Sequence, residues 1–428
     1  MKQGVRYVFL PMGISTVLHF LVDGLCVCCL FLLAGEADLF QLLGVFMVYN
    51  VLAFLTQPLT GMLADLVRQR HLLLMASVAL QALGVAVATL LYAHFSLFVA
   101  YVAVSLLGMG NSLFHVWGGK EVALSTGNDV CALGVFVSTG AFGLAVGMLL
   151  HAWWLLYVFL LLIAVLAVVA VRMPVAEPLP VHPGKSWLAW LAVLLLMAFV
   201  VFRSFLGETF AKDVAKGGLM VLAIGGIAML GKAGGGCLAR RIGLGAVFIL
   251  ALAGSVACVL LKGSMAWLWL PGLLLINGTM AVTLRWANFV MPGHEGLAFG
   301  LLAAALMPGY LLAQVPDGSV TAVLLTLVPT IVLELLVLWS LREKRADVLW
   351  SSVVVNILTN VPLNLYVTYV SDSVATVLTA EVLIVAVEAL WYRYFVDSWR
   401  RAVVYSVLCN GISFLTGLLV QLLWILFT

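Results

Sequence analysis

Fifteen stretches of the chain stay mostly apolar for about 20 residues, the length a helix needs to cross a hydrocarbon layer. They run over 5–34, 39–63, 72–93, 95–117, 129–150, 152–173, 187–210, 217–238, 244–262, 265–290, 296–315, 319–341, 349–370, 373–395 and 402–427. The first run, Val5 to Ala34, is far longer than the core of a cleavable signal and reads as a retained helix. The pattern predicts an all-α polytopic membrane protein. Basic residues orient it, because cytoplasmic flanks carry the excess of Lys and Arg. With a cytoplasmic N-terminus, the inside flanks hold Lys2, Arg6, Arg68, Arg70, Lys120, Arg172, Lys185, Arg240, Arg241, Arg342, Lys344, Arg345, Arg393, Arg400 and Arg401. Only Lys212, Lys216 and Lys262 fall outside, and Arg203, Lys232 and Arg285 lie within spans. An odd number of spans then puts the C-terminus outside.

Two polar breaks divide the chain. Residues 174–186, PVAEPLPVHPGKS, carry four of the 12 prolines and read as a cytoplasmic linker. The charged run 342–347, REKRAD, is the second break. The expected organisation is a six-helix bundle at 1–173, the linker at 174–186, a second six-helix bundle at 187–341 and a three-helix module at 342–428. An internal repeat supports the first two: Gly61-Met-Leu63-Ala64-Asp65 and Gly236-Cys-Leu238-Ala239-Arg240 both place GxLA and a charge at the cytoplasmic end of the second helix of a half. Parallel repeats of this kind place a substrate site near the membrane midplane between the halves.

Composition excludes the soluble alternatives. The 428 residues are 65% apolar and 9% charged, against roughly a quarter charged in a soluble chain, and mean hydropathy is +1.21. A net charge of +3 leaves no basic surface for nucleic acid. The seven cysteines all sit in or beside apolar runs, as small packing residues do, and do not form a secreted disulfide framework. No GxxxxGK[ST], HExxH or GxSxG motif occurs, so neither an enzyme nor transport driven by the chain's own ATP hydrolysis is expected, and no cofactor is implied.

The stretch Gly61 to Arg70 resembles the GxLxDxxxxR loop of the major facilitator superfamily, and with the six-plus-six layout the resemblance covers residues 1 to about 341. Within that superfamily, His19-Phe-Leu-Val-Asp23, Gly108-Met-Gly110-Asn111-Ser112-Leu113-Phe114-His115 and Phe202-Arg203-Ser204 resemble the fosmidomycin-resistance-type exporters. After His115 the chain departs from them, with Val116-Trp117 in place of a proline and an acidic residue. The resemblance implies a secondary transporter, with export favoured. It also implies that Asp65 caps a helix of the opposite half, where a carboxylate meets the positive end of the helix dipole, so that Gly61, Asp65, Arg70 and Arg240 form a cytoplasmic gate. Asn111 and His115 mark the helix-four motif.

Ionisable side chains within spans are costly and usually face a cavity or a partner. His19 and Asp23, spaced i and i+4, share a helix face. A rise of about 1.5 Å per residue puts Asp23 and Arg203 at nearly one depth, and the resemblance lets them face each other across the central cavity. Asp23, tuned by His19, is then a proton-accepting carboxylate, and Arg203 a cation that holds either Asp23 or an anionic substrate; a permanent Asp23–Arg203 bond that joins the halves without titrating is the alternative. Lys232 is either a second anion contact or a snorkelling amine. Arg285 and Glu334 read as interface anchors. Asp23, His19 and Cys26 could also ligate a transition metal. The same rise puts His115 roughly 19 Å from them along the membrane normal, outside any such shell.

In the last three helices, Asn356, Asn360 and Asn364 form one stripe and Glu381 and Glu388 another, with Asn410 able to join. A hydrogen-bonded seam is one account of them. A second cation or proton site, or a docking surface for a partner subunit, is the other. The reading that emerges is a proton-coupled secondary transporter of a small, anionic organic solute in a bacterial plasma membrane. Its rivals are a transition-metal transporter and a non-transporting sensor or assembly factor.

Overall fold

The computed structural model describes residues 2–35, 39–90, 96–173, 187–212, 218–261, 263, 265–314, 319–369 and 373–427. Side chains within these are described except at 2–9, 39–42, 187, 266, 319–329, 361, 362, 364–369 and 417–427. The expected linker 174–186 and the side chain of Asn364 therefore lie outside the described residues.

Backbone in lipid has no water to bond with and must satisfy its N–H and C=O groups internally. Among the described residues every regular element is accordingly helical. In chain order these are α1 (Lys2–Ala34), α2 (Leu39–Asn50), α3 (Gln57–Leu66), α4 (His71–Leu90), α5 (Leu97–Ser125), α6 (Val130–Leu149), α7 (Trp153–Val171), α8 (Trp187–Lys212), α9 (Gly218–Ile242), α10 (Leu244–Leu261), α11 (Trp269–Gly278), α12 (Met280–Val290), α13 (Glu295–Ala304), α14 (Leu306–Gln314), α15 (Ser319–Ser340), α16 (Ala346–Tyr369), α17 (Val374–Phe395) and α18 (Trp399–Phe427). Three crossings are interrupted. A π-helical turn, Val51–Leu55, divides α2 from α3, while Thr279 and Ala305 break α11 from α12 and α13 from α14. Twelve crossings among the described residues are long and apolar enough to span a bilayer, and α15, α16 and α18, whose side chains are described only in part, bring the helical count to the expected fifteen.

The helices fall into two compact units, 1–182 with 196–313, and 183–195 with 314–428. In the first, helices approach through glycine, because helices in lipid associate by close van der Waals packing over small residues. A Cβ on Gly143 of α6 would overlap the carbonyl of Phe20 on α1, and one on Gly236 of α9 would lie 2.6 Å from the carbonyl of Val130. The α6–α9 approach is so close that Cys131 and Cys237, their Cα atoms 4.2 Å apart, form a disulfide. This corrects the reading of all seven cysteines as packing residues. Hydropathy could not show that the repeated small residues bring these two positions together.

In the second unit α15 packs on α16 and α18, although the charge break at 342–347 suggested a boundary after it. The contact has a polar cause. Glu334 of α15, expected as an interface anchor, is fully buried and accepts a hydrogen bond from Asn356 Nδ2 at 2.5 Å. Asn360 Nδ2 donates to Asn356 Oδ1, Thr359 Oγ1 to Glu388 Oε1, and Asn410 Nδ2 to Glu388 Oε2. Glu381 makes no hydrogen bond to this seam among the described residues, so the seam is built from Glu334 and Glu388. At the α15–α16 turn, Arg345 grips both oxygens of Glu343 at 3.1 and 3.0 Å and the Tyr405 hydroxyl donates to the same carboxylate at 2.9 Å. Burial alone would raise the Glu343 pKa, but the bonds from Arg345 and Tyr405 overcome it and hold the group down at about 2.

Two outcomes are expected. Gly143→Val lowers the midpoint of thermal unfolding in detergent, at a cost of about 1–3 kcal/mol from overpacking. Gly226→Ala, where a Cβ meets nothing within 4 Å, does not lower it. Because the folded pKa of Glu343 lies below the ordinary value of 4.5, the stability it confers is present above that value and is lost as pH falls towards about 2. Melting curves should show Glu343→Gln less stable than wild type at neutral pH, with the difference shrinking across that acid window.

Candidate functional site

Three buried side chains from two helices meet in the interior of the first unit. His19 and Asp23 stand one turn apart on α1, and His115 reaches them from α5. His19 Nε2 is 3.3 Å from Asp23 Oδ2 and His115 Nε2 is 3.5 Å from Asp23 Oδ1, with the three residues 4%, 7% and 8% exposed. Asn111, one turn before His115, donates to Asp23 Oδ1 at 3.0 Å. The two imidazole rings meet edge to face, 4.6 Å between centroids.

The expectation that His115 stands roughly 19 Å away is thus wrong, and the reason is local. The fourth span does not end at Trp117: α5 continues through Gly118, Gly119, Lys120 and Glu121 to Ser125, all but the last few residues buried. That extension moves the middle of the helix towards His115. Charged residues that read as a loop are helical because each has a partner. Lys120 Nζ lies 2.8 Å from Asp65 Oδ1, and Arg70 Nη1 lies 3.2 Å from Glu121 Oε2. Cys26, weighed as a ligand with Asp23 and His19, stays outside the trio: its thiol points to the Leu107 carbonyl at 3.9 Å and receives a long contact from Asn111 at 3.8 Å.

Arg203 does not pair with Asp23. Its guanidinium, 5% exposed, donates to Thr283 Oγ1 of α12 at 3.4 Å, and among the described residues it makes no ion pair. Arg203, Thr283, Val137 and Phe299 line a cavity of about 20 Å³, enough for a water molecule and too small for an organic solute. Lys232 on α9 is half-buried and lies within Coulombic range of both Arg203 and Asp23.

At one end of the bundle, Asp65 terminates α3 against the start of α13. Its Oδ1 accepts from Gly296 N at 3.0 Å and its Oδ2 from Leu297 N at 2.9 Å, so one carboxylate satisfies two free amides of a helix N-terminus. Close approach makes this reachable. A Cβ on Gly61 would overlap the carbonyl of Gly296, and one on Gly300 that of Gln57. Lys120 also donates to the Ala64 carbonyl at 3.0 Å. Arg240 meets Asp129 at 3.4 Å on the α6–α9 side of the same interface, where Asn288 donates to Asn128 Oδ1 at 2.7 Å. Sequence reading placed Gly61, Asp65, Arg70 and Arg240 in a gate but did not find Lys120, Glu121, Gly296 or Gly300. The expected span at 296–315 already starts within one residue of α13, and the run Pro292-Gly293-His294-Glu295-Gly296, a turn followed by an acidic first residue, marks that start; its pairing with Asp65 is not written in the spacing.

Removing the cap should loosen this end. In Asp65→Ala the two amides and Lys120 lose their shared acceptor, a loss of about 1–3 kcal/mol. A cysteine introduced as Ala64→Cys, at a fully buried position, should then react with a thiol reagent about tenfold faster than in the otherwise unchanged chain.

No family model matches the sequence, and no curated protein does. Among solved structures the chain is similar to the Escherichia coli fucose:proton symporter, with a TM-score of 0.57 and 11% identity over 84% of this chain and 98% of that one. It is also similar to a bacterial homologue of the iron transporter ferroportin in its outward-facing state, with a TM-score of 0.47 and 14% identity over 83% and 98% of the two chains. A human organic anion transporter gives a TM-score of 0.42 and 20% identity over 73% and 95%. The crossings, the glycine-lined interfaces and the likeness to the symporter agree: the chain is an all-helical, multi-pass membrane protein with the fold of that symporter.

Proposed function

We propose that the chain is a secondary active transporter that carries a small anionic organic solute by alternating access, with Arg203 and Lys232 as the anion contacts. The observation that carries this reading is the isolation of Arg203, a buried guanidinium bonded only to a neutral hydroxyl among the described residues. A buried cation left without a counter-charge is costly, and an anion that brings its own charge offsets the cost. Lys232, within range of the same place, adds a second positive charge. The small cavity at Arg203 belongs to a closed arrangement, so the solute enters when the halves part.

The gate of this cycle is the Asp65 cap on α13, with Gly61, Arg70 and Arg240 around it. Coupling runs through the His19–Asp23–His115 cluster, which holds one carboxylate between two imidazoles and takes a cation, the proton among them. Export is the direction that the resemblance to fosmidomycin-resistance-type proteins favours, and a bacterial plasma membrane is the location it fits. The module after residue 341 is joined within itself by the Glu388–Asn410 bond and to α15 by the Glu334–Asn356 bond, and a partner subunit would dock on it.

The test is flux into proteoliposomes containing the purified chain, with a panel of mono- and dicarboxylates and phosphate esters under imposed cation gradients. Wild type should move one class of anion saturably. Arg203→Gln should lose at least about 100-fold in transport, and Arg203→Lys about tenfold, since a lysine cannot reproduce the bidentate fork. Anion flux at the wild-type rate in Arg203→Gln overturns the reading. Anion binding with no flux points instead to a sensor built on a transporter fold.

A further inference from the structure

The two histidines at Asp23 have their protons placed by their other contacts. His19 Nδ1 lies 2.7 Å from the carbonyl oxygen of Phe136, and His115 Nδ1 lies 3.0 Å from that of Asn111. A carbonyl only accepts, so each ring carries its hydrogen on Nδ1 and turns Nε2 towards Asp23. In the neutral rings these are lone pairs directed at a carboxylate. One proton on one ring leaves the other lone pair facing the anion, and two protons leave a buried excess of positive charge. A divalent cation between them satisfies all three donors at once. Backbone carbonyls that fix the tautomer of a ligating histidine are the usual outer support of such sites.

The spacing also fits. Ligands about 2.0–2.1 Å from a tetrahedral ion are separated by about 3.3–3.4 Å; His19 Nε2 is 3.3 Å from Asp23 Oδ2 and His115 Nε2 is 3.5 Å from the other oxygen, Oδ1, so the carboxylate offers an oxygen to each ring. All three ligand atoms lie within 4.8 Å of one another. Gly140 of α6 lies directly against two of the three ligand groups: a Cβ there would overlap both Asp23 Oδ2 and His19 Nε2, so a larger residue displaces them. Two imidazoles and one carboxylate are the donor set of borderline transition metals, and three protein ligands leave a position open for water or for an oxygen of a second ligand.

We infer that His19, Asp23 and His115 form a site for a divalent transition-metal ion, which is the cation of the transport cycle. This rests on the transporter reading for the ion's role, though not for its binding. The experiment adds Zn²⁺ or Co²⁺ to the metal-stripped, full-length chain in detergent. It reads stoichiometry by elemental analysis and affinity by competition with a chromophoric chelator. One ion per chain is expected, with affinity reduced at least about 100-fold in His115→Ala and in Gly140→Val. His115→Cys, which supplies a thiolate ligand, should return to within about tenfold of wild type. His151→Ala, an exposed histidine elsewhere, should leave affinity unchanged. Failure of wild type to bind an ion, or equal affinity in His115→Ala and His115→Cys, overturns the site. Arg203-dependent anion flux that survives metal stripping with a proton gradient alone overturns the metal's role and leaves the transporter standing. A bound ion with no flux of any anion or metal overturns the transporter reading and leaves the site.

Discussion

A charge inside this bundle has no water to fall back on, so each one either finds a partner of the right chemistry or waits for one to arrive. Lys120 and Glu121 are buried at the end of a long helix because Asp65 and Arg70 meet them. Asp65 is itself shared with two backbone amides of α13. Asp23 sits among two imidazoles and an amide, and Glu334 and Glu388 each accept from an asparagine. Against that background Arg203, with one neutral hydroxyl, stands out. That isolation is what the proposed anion contact rests on.

Glycine is the means by which these partners come within reach. The cap on α13 requires Gly61 and Gly296 to let two backbones touch, and the α6–α9 approach requires Gly134 and Gly236. Small residues thus set the distances over which the polar groups act, and the polar groups decide which helices those small residues join.

Much of this was legible in the sequence, and the failures have identifiable physical causes. Hydropathy locates the crossings because lipid imposes one length on them, Arg203 is conspicuous because charge in an apolar run is rare, and Asp65 stands out through the GxLxDxxxxR pattern at a span's end. His115 was misplaced because hydropathy ends a span at the first charged residues, whereas Lys120 and Glu121 are charges already neutralised within the bundle. Glu334 was assigned to an interface because its partner Asn356 lies on another helix, and a stripe pattern shows only one helix at a time. The Cys131–Cys237 bond was invisible for the same reason: a sequence carries the spacing along each helix and not the pairing between helices.

The arrangement around Asp65 has an electrical consequence. The Asp65–Lys120 and Arg70–Glu121 pairs both lie wholly in the N-terminal half, on α3, α5 and the turn between α3 and α4. In the proposed opening both pairs stay within one half and what leaves Asp65 is a helix end, while the ion pair between α9 and the start of α6, Arg240–Asp129, parts. The Arg240–Asp129 pair is then one whose separation a transmembrane field acts on. A membrane potential acts with about 2.3 kcal/mol per elementary charge per 100 mV. In the proposed cycle, voltage bears on that pair and on the net charge of Arg203, Lys232, the Asp23 cluster and whatever they bind.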